Sequence, residues 1–205
     1  VERLQRSGLL DDTLIVFTSD HGEMLGDHHL WRKTYAYEAS ARVPLIAVAP
    51  ESMNVERNVE CAALVGWEDI MPTFLQAAET DQPESVEGHS VLKLLKDPSG
   101  TLRPYYHGEH APCYHPENAN QFLTDARWKY IWNPINGEEQ LFDLQADPHE
   151  CANLVRKETD VLAHWRRTMA RQLAGRQEQL SDGTQLRTGA VQAWRFAQAD
   201  ELHLG

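Results

Sequence analysis

The 205 residues carry a formal net charge of −12, with a hydrophobic share of 41% and a charged share of 24%. A chain of this size is one large domain or one and a half, able to bury about 70% of its unfolded surface, and its composition is that of an ordinary globular protein. The acidic balance argues against non-specific nucleic-acid binding, which needs basic surface, and disfavours an anionic membrane, but a metal ion and one lysine could still reverse the sign locally for an anionic substrate.

Cys61, Cys113 and Cys151 are odd in number and form no CxxC pair, which excludes the disulfide framework of a small secreted domain and leaves the compartment undecided. No run approaches transmembrane length. The chain opens Val1-Glu2-Arg3-Leu4-Gln5, without methionine and in what reads as a helix, so the expectation is the C-terminal piece of something longer.

In chain order, residues 1–8 read as the last turns of an amphipathic helix stopped by Gly8. Leu14-Ile15-Val16-Phe17 is an apolar β-type run, expected to be a central strand covered on both faces with parallel neighbours. It breaks into Thr18-Ser19-Asp20-His21-Gly22-Glu23. Residues 34–42, with Tyr35, Tyr37 and Glu38, suit a pocket edge, and Val43 to Ala49 form the next strand, where Pro44 is tolerable near the start. Ile70, Met71, Phe74, Leu75 and Ala78 recur at helical spacing over 68–78, with Pro72 in the first turn. A short helix over 91–95 and a turn at Asp97-Pro98-Ser99-Gly100 follow.

From Pro104 the texture changes to short β-type runs at 105–107, 121–124, 128–132 and 140–143, the last separated from its predecessor by Asn136-Gly137, a strong hairpin signal. A small antiparallel sheet over about 104–145 is expected. Val161, Leu162, Trp165, Met169 and Leu173 mark one face of a helix closing at Gly175, which should pack on that sheet. The fold class is therefore α/β: part of a mixed or parallel central sheet flanked by helices, then a small antiparallel sheet with a C-terminal helix. The expected divisions are 1–100, 101–175 and a tail at 176–205 that wraps the body or meets a neighbouring subunit.

Asp20 and His21 fall just beyond the carboxyl end of the first strand, where open α/β sheets bind ligands. A carboxylate and an imidazole side by side can reach one cation only where the backbone turns sharply, and Gly22 permits that turn. The bland alternative is a helix-capping Asp beside a surface His. Lys33 follows in a Gly-, His- and Trp-rich loop; most loop lysines are simply solvated, yet a metal pair with an ammonium nearby is what holding a small oxyanion requires.

DDTLIVFTSDHGEMLGDHHLWRKTYAYEASARVPLI and LTDARWKYIWNPINGEEQLFDLQADPHECANL resemble, in order, the metal-site segment and the C-terminal subdomain of the sulfatases, members of the alkaline phosphatase superfamily. The resemblance covers most of residues 1–175. It implies Asp20 and His21 as metal ligands, Lys33 as the sulfate-binding and charge-neutralising lysine, and His28 as a candidate proton donor to the leaving alcohol, with His29 a weaker one. His107 and His110, in YHGEH, would approach the substrate, although structural hydrogen bonding is their default role. Trp128, Tyr130 and Trp132 suit sheet packing better than a stacking platform.

The family implies a calcium-type site, but His21 stands where many relatives carry Asn. Nitrogen suits manganese, iron or zinc better than a hard ion. The formylglycine nucleophile arises in Cys-x-Pro-Ser-Arg, or from a serine in its place, and none of the three cysteines has that context; it is expected upstream, along with paired aspartates that complete the metal site. This chain alone is therefore expected to be inert. The expectation is a hydrolase of small-molecule or saccharide sulfate esters, with no nucleic-acid or membrane partner and self-association through the tail. The alternatives are a phosphonate or phosphodiester hydrolase of the same superfamily, or an inactive binding module.

Overall fold

The computed structural model describes residues 1–112, 115 and 118–189. Two compact units are present: Val1–Gly22 with Arg42–Tyr106, and Glu23–Ala41 with the chain from His107 onward. Among the described residues no helix is long and apolar enough to cross a membrane.

In the first unit, α1 (Glu2–Arg6) ends before Gly8, whose φ of +68° supplies the left-handed turn that stops it. Strands β1 (Ile15–Thr18) and β2 (Leu45–Val48) pair in register Ile15↔Val48 to Thr18↔Leu45. They are antiparallel, so the expected parallel neighbour is corrected: an apolar run encodes burial, not the direction of the adjacent strand. Burial is also incomplete here. Phe17 and Ile46, opposite each other on one face, are 61% and 55% exposed.

A turn at Trp67–Asp69 leads into α3 (Ile70–Ala77), and α4 (Leu92–Lys96) follows; the short α2 (Glu38–Ala41) belongs to the second unit. Pro72 lies in the first turn of α3 as expected, where no N–H is missed. The tie between these pieces is Asp69, whose side chain is wholly buried. Its two oxygens accept from Gly66 and His89 N–H, each at 2.8 Å, and from both ends of the Arg103 guanidinium at 2.7 and 2.6 Å. Thr73 extends the tie, donating to the Asp69 carbonyl at 2.5 Å and accepting from Val91 N–H at 3.0 Å. Two glycines are required around it. A Cβ on Gly88 would lie 1.8 Å from the Glu68 carbonyl oxygen, and one on Gly66 would lie 2.1 Å from the Tyr106 ring.

In the second unit β3 (Tyr106–His110), β4 (Asn120–Thr124), β5 (Trp128–Trp132) and β6 (Glu139–Asp143) form a sheet in that order. The β4–β5 and β5–β6 pairs are antiparallel. The expected Asn136-Gly137 turn is present, with Gly137 at φ +77°, and Ala126 at +74° turns the chain between β4 and β5. α5 (Thr159–Gln172) buries Leu162, Trp165 and Met169 and packs on β4 and β5. Tyr130 and Trp132 point to the α5 face, where the Tyr130 hydroxyl donates to Glu139 at 2.6 Å and Arg166 of α5 grips the same carboxylate. The opposite face, carrying Phe122, Ile131 and Phe142, packs on Ala36 and Tyr37. The sheet is therefore covered on both sides, and four consecutive residues, 129–132, are buried. Ser181 donates to the Ala170 carbonyl at 2.6 Å, and Gly189 N–H to that of Pro134 at 2.9 Å, so 176–189 lies on this unit. The remainder of the expected tail, 190–205, lies outside the described residues.

Burial alone would push the Asp69 carboxyl up; Arg103 and the N–H groups of His89 and Gly66 outweigh it and hold it below the ordinary aspartate value. A carboxyl lowered on folding contributes stability that is present above the unfolded value, about 3.9, and is lost as pH falls through the folded value. Asp69→Asn is expected to cost about 3–5 kcal/mol at neutral pH and to flatten the acid limb of a plot of unfolding free energy against pH. Denaturant titrations of both proteins between acid and neutral pH check this.

Candidate functional site

Asp20 and His21 leave the end of β1 in the first unit. The Asp20 side chain is 78% exposed, and its Oδ2 lies 3.5 Å from His21 Nε2. His21 Nδ1 sits 2.6 Å from the Gly22 carbonyl oxygen. A ring nitrogen that close to a carbonyl must carry the proton, which leaves Nε2 as either a second N–H or a lone pair facing the carboxylate. Without a second proton, the Nε2 lone pair and the carboxylate oxygen are both open to a cation or to water. A histidine that ligates a metal commonly donates its other N–H to a backbone carbonyl, and 3.5 Å is a spacing that two ligands of one ion can have, each about 2.0–2.5 Å from it. These residues fit a divalent ion as one edge of its coordination shell. Among the described residues no group of three or more His, Cys, Asp or Glu could hold an ion alone.

The other predicted residues lie in the second unit. Lys33 is exposed and is flanked by backbone that side chains seldom adopt: Arg32 has φ +74° and Thr34, β-branched and buried, has φ +102°. Leu25, His28 and His29 also have positive φ. Five such residues within ten positions cost about 1–3 kcal/mol each, and they persist only where surroundings over-determine them; clustering of this kind is typical of functional loops. The loop folds on itself through Met24 N–H to the Arg32 carbonyl at 3.0 Å and Gly26 N–H to that of Leu30 at 2.9 Å, and Arg32 N–H donates to the Glu23 carboxylate.

His28 does not point freely into solvent. Its ring stacks on Tyr37, with centroids 4.0 Å apart and planes 9° from parallel, and Nε2 donates to the His149 carbonyl at 3.0 Å. Any proton it delivers would therefore leave from Nδ1. Tyr37 donates in turn to Gln140 at 3.1 Å, and burial, with the Glu150 carboxylate adding to it, holds its phenol above the usual value. His107 Nε2 donates to Gln121 Oε1 at 2.8 Å, and the same amide donates to Glu109 at 3.1 Å. Glu109 is held by Arg176 at 2.9 Å. The Nδ1 of His110 is buried with no hydrogen-bond partner among the described residues.

Two residues around this loop, Lys129 and Glu150, escape a sequence reading, and both meet Glu38 of the expected pocket edge. Lys129 has a wholly buried side chain whose Nζ lies 2.6 Å from Glu38 Oε1 and 3.1 Å from Glu150 Oε1, and 5.5 Å over the Phe122 ring. Glu150 Oε2 accepts the Glu38 N–H at 2.6 Å. Burial pushes the Glu150 carboxyl up, with Lys129 opposing without cancelling it. The one signal in the sequence is a lysine inside the aromatic run WKYIW; nothing local marks Glu150.

The family described as N-sulphoglucosamine sulphohydrolase, C-terminal, matches residues 26–179. An arylsulfatase of Clostridium perfringens is 37% identical over 189 residues, 91% of this chain and 39% of that protein. Arylsulfatase K of Mus musculus is 35% identical over 161 residues, 74% of this chain and 28% of its own. A solved structure in complex with D-glucosamine-2-N,6-O-disulfate, described as its substrate, superposes at a TM-score of 0.73 and 27% identity, over 84% of this chain and 36% of that one. A phosphonate monoester hydrolase from Silicibacter pomeroyi superposes at 0.74 and 30% identity, over 84% and 37%. The chain thus spans about two fifths or less of these relatives' length.

The His28–Tyr37 stack and the bond to His149 are together worth about 1–3 kcal/mol. His28→Ala is expected to lower stability by that amount, read as a drop in the denaturant midpoint at unchanged slope.

Proposed function

The chain belongs to the sulfatases, and from that premise we propose that it is the C-terminal part of a sulfate ester hydrolase in which Asp20 and His21 supply two ligands of a divalent metal and Lys33 binds the sulfate. The observation that carries this is the Asp20–His21 pair, with one imidazole nitrogen spent on a carbonyl and the other set beside a carboxylate. A divalent ion held there would polarise a sulfuryl oxygen and help to ionise a nucleophile. Lys33 neutralises charge gathering on the sulfate oxygens as the ester bond breaks. The leaving alcohol takes its proton from a donor in the second unit; His28, through Nδ1, is the candidate. His107 and His110 line the substrate side on this reading. Calcium is the expected ion by family, while the imidazole nitrogen favours manganese, iron or zinc.

The substrate class is a sulfate ester of a saccharide or a small alcohol. A likeness to a structure holding a glucosamine disulfate and 34% identity over 157 residues to a choline-sulfatase of Rhizobium meliloti support it. A second reading, a phosphonate monoester hydrolase, is favoured by the likeness to such an enzyme. Turnover of 4-nitrophenyl sulfate against a phenylphosphonate monoester by the full-length protein separates the two; faster phosphonate cleavage overturns the first. A full-length sequence lacking Cys-x-Pro-Ser-Arg and its serine variant would favour a binding module instead.

Two outcomes are expected. Residues 1–205 alone bind calcium or manganese weakly by calorimetry and do not cleave an aryl sulfate; tight binding with turnover would refute the shared site. In the full-length protein Lys33→Ala lowers kcat/KM for sulfate esters by on the order of 100-fold or more, while Asp20→Asn reduces the bound metal measured by elemental analysis.

A further inference from the structure

We propose that Lys129, clamped between Glu38 and Glu150, is a positioning residue that holds the strained segment 23–41 on the four-stranded sheet and thereby sets the place of Lys33. The inference rests on the reading of Lys33 as the sulfate-binding group.

Two independent observations meet here. The first is the cost of the segment. Leu25, His28, His29, Arg32 and Thr34 all have positive φ, and a backbone in that state relaxes unless something outside it prevents relaxation. Internal hydrogen bonds of the loop, such as Met24 to Arg32, hold its shape but not its place. The second is the anchor. The Lys129 side chain is 0% exposed, and period-two alternation along β5 turns it to the face that packs on Ala36 and Tyr37. A buried ammonium must be paired, and its partners are Glu38, the first residue of α2, and Glu150, which also accepts the Glu38 backbone N–H.

The geometry makes the segment hard to displace. Lifting 34–41 from the sheet would strip an ammonium of one carboxylate, a buried carboxylate of its N–H donor, and Ala36 and Tyr37 of their apolar cover. Asn120, reaching the Thr34 carbonyl at 2.9 Å, fixes the residue directly after Lys33. Glu150 itself has φ +56°, so its carboxylate is aimed by a backbone conformation that a simple loop residue would avoid. The ion pair costs desolvation of both partners, and a methionine of similar length would pack as well. What the charged version adds is a fixed position for the segment carrying Lys33.

The test uses the full-length protein with 4-nitrophenyl sulfate and four variants: Lys33→Ala, Lys129→Met, the double variant, and Glu150→Gln, which keeps the lysine and the shape of the site if Lys129→Met fails to fold. Amide hydrogen exchange over 23–41 is followed alongside kcat and KM. Lys129→Met or Glu150→Gln is expected to speed exchange in 23–41 while leaving β4 to β6 protected, and to lower kcat/KM by on the order of 100-fold for Lys129→Met. In the Lys33→Ala background, Lys129→Met should cost at least about tenfold less than in the parent protein, since the lysine it positions is already gone and only His28 of the same segment is left to displace. If Lys33→Ala loses activity but the Lys129 or Glu150 variants do not, or if the Lys129 and Lys33 losses multiply, the positioning role is overturned. If Lys33→Ala keeps full activity, the reading of the site itself falls, and this proposal with it.

Discussion

A charge sealed inside a protein must find its counter-charge there, and in the second unit that requirement decides the arrangement. Lys129 faces inward because the sheet is covered on both sides, by α5 on one face and by segment 34–41 on the other. Its ammonium has no water to fall back on, so two carboxylates distant in sequence, Glu38 and Glu150, are drawn to it. The segment between Gly22 and Arg42 is joined in this way to a sheet that begins more than sixty residues later.

The first unit solves a similar problem with the signs exchanged. Asp69 is sealed at the start of α3, and four N–H groups close on it, two from backbone and two from Arg103. The bidentate guanidinium matches the plane of the carboxylate, while the backbone donors come from loops that need glycine, Gly66 and Gly88, to approach so closely. In both units a single paired buried charge organises irregular chain that apolar packing alone would leave under-specified.

The chemistry the chain contributes is correspondingly partial. On the proposed reading Asp20 and His21 are one edge of a metal site: the Gly22 carbonyl accepts the N–H of one ring nitrogen, and the other lies beside the carboxylate. Lys33, exposed and set between two residues of positive φ, is the proposed source of the positive charge. Sulfate transfer asks for positioning and electrostatic stabilisation more than for many reacting groups, and the proposed roles of these three residues are a share of that task.

Much of this was legible beforehand. Periodicity placed the helix over 68–78, the C-terminal helix and the four short strands, because burial of one face imposes a period that residues display locally. Gly8, Gly137 and Gly175 marked chain reversals, since positive φ is cheap only for glycine. Asp20, His21 and Lys33 were singled out by the likeness of their segment to the sulfatases, since an Asp-His pair and a loop lysine carry no such signal alone. The direction of β2 against β1 was not legible, nor was the exposure of Phe17, because an apolar run records that a strand wants cover but not what supplies it. The stacking and hydrogen bond that tie His28 to Tyr37 and His149, and the pairing of Lys129 with Glu38 and Glu150, belong to the tertiary structure alone. They depend on which surfaces meet across long stretches of chain, and electrostatic partners chosen by burial leave no periodic trace in the order of residues.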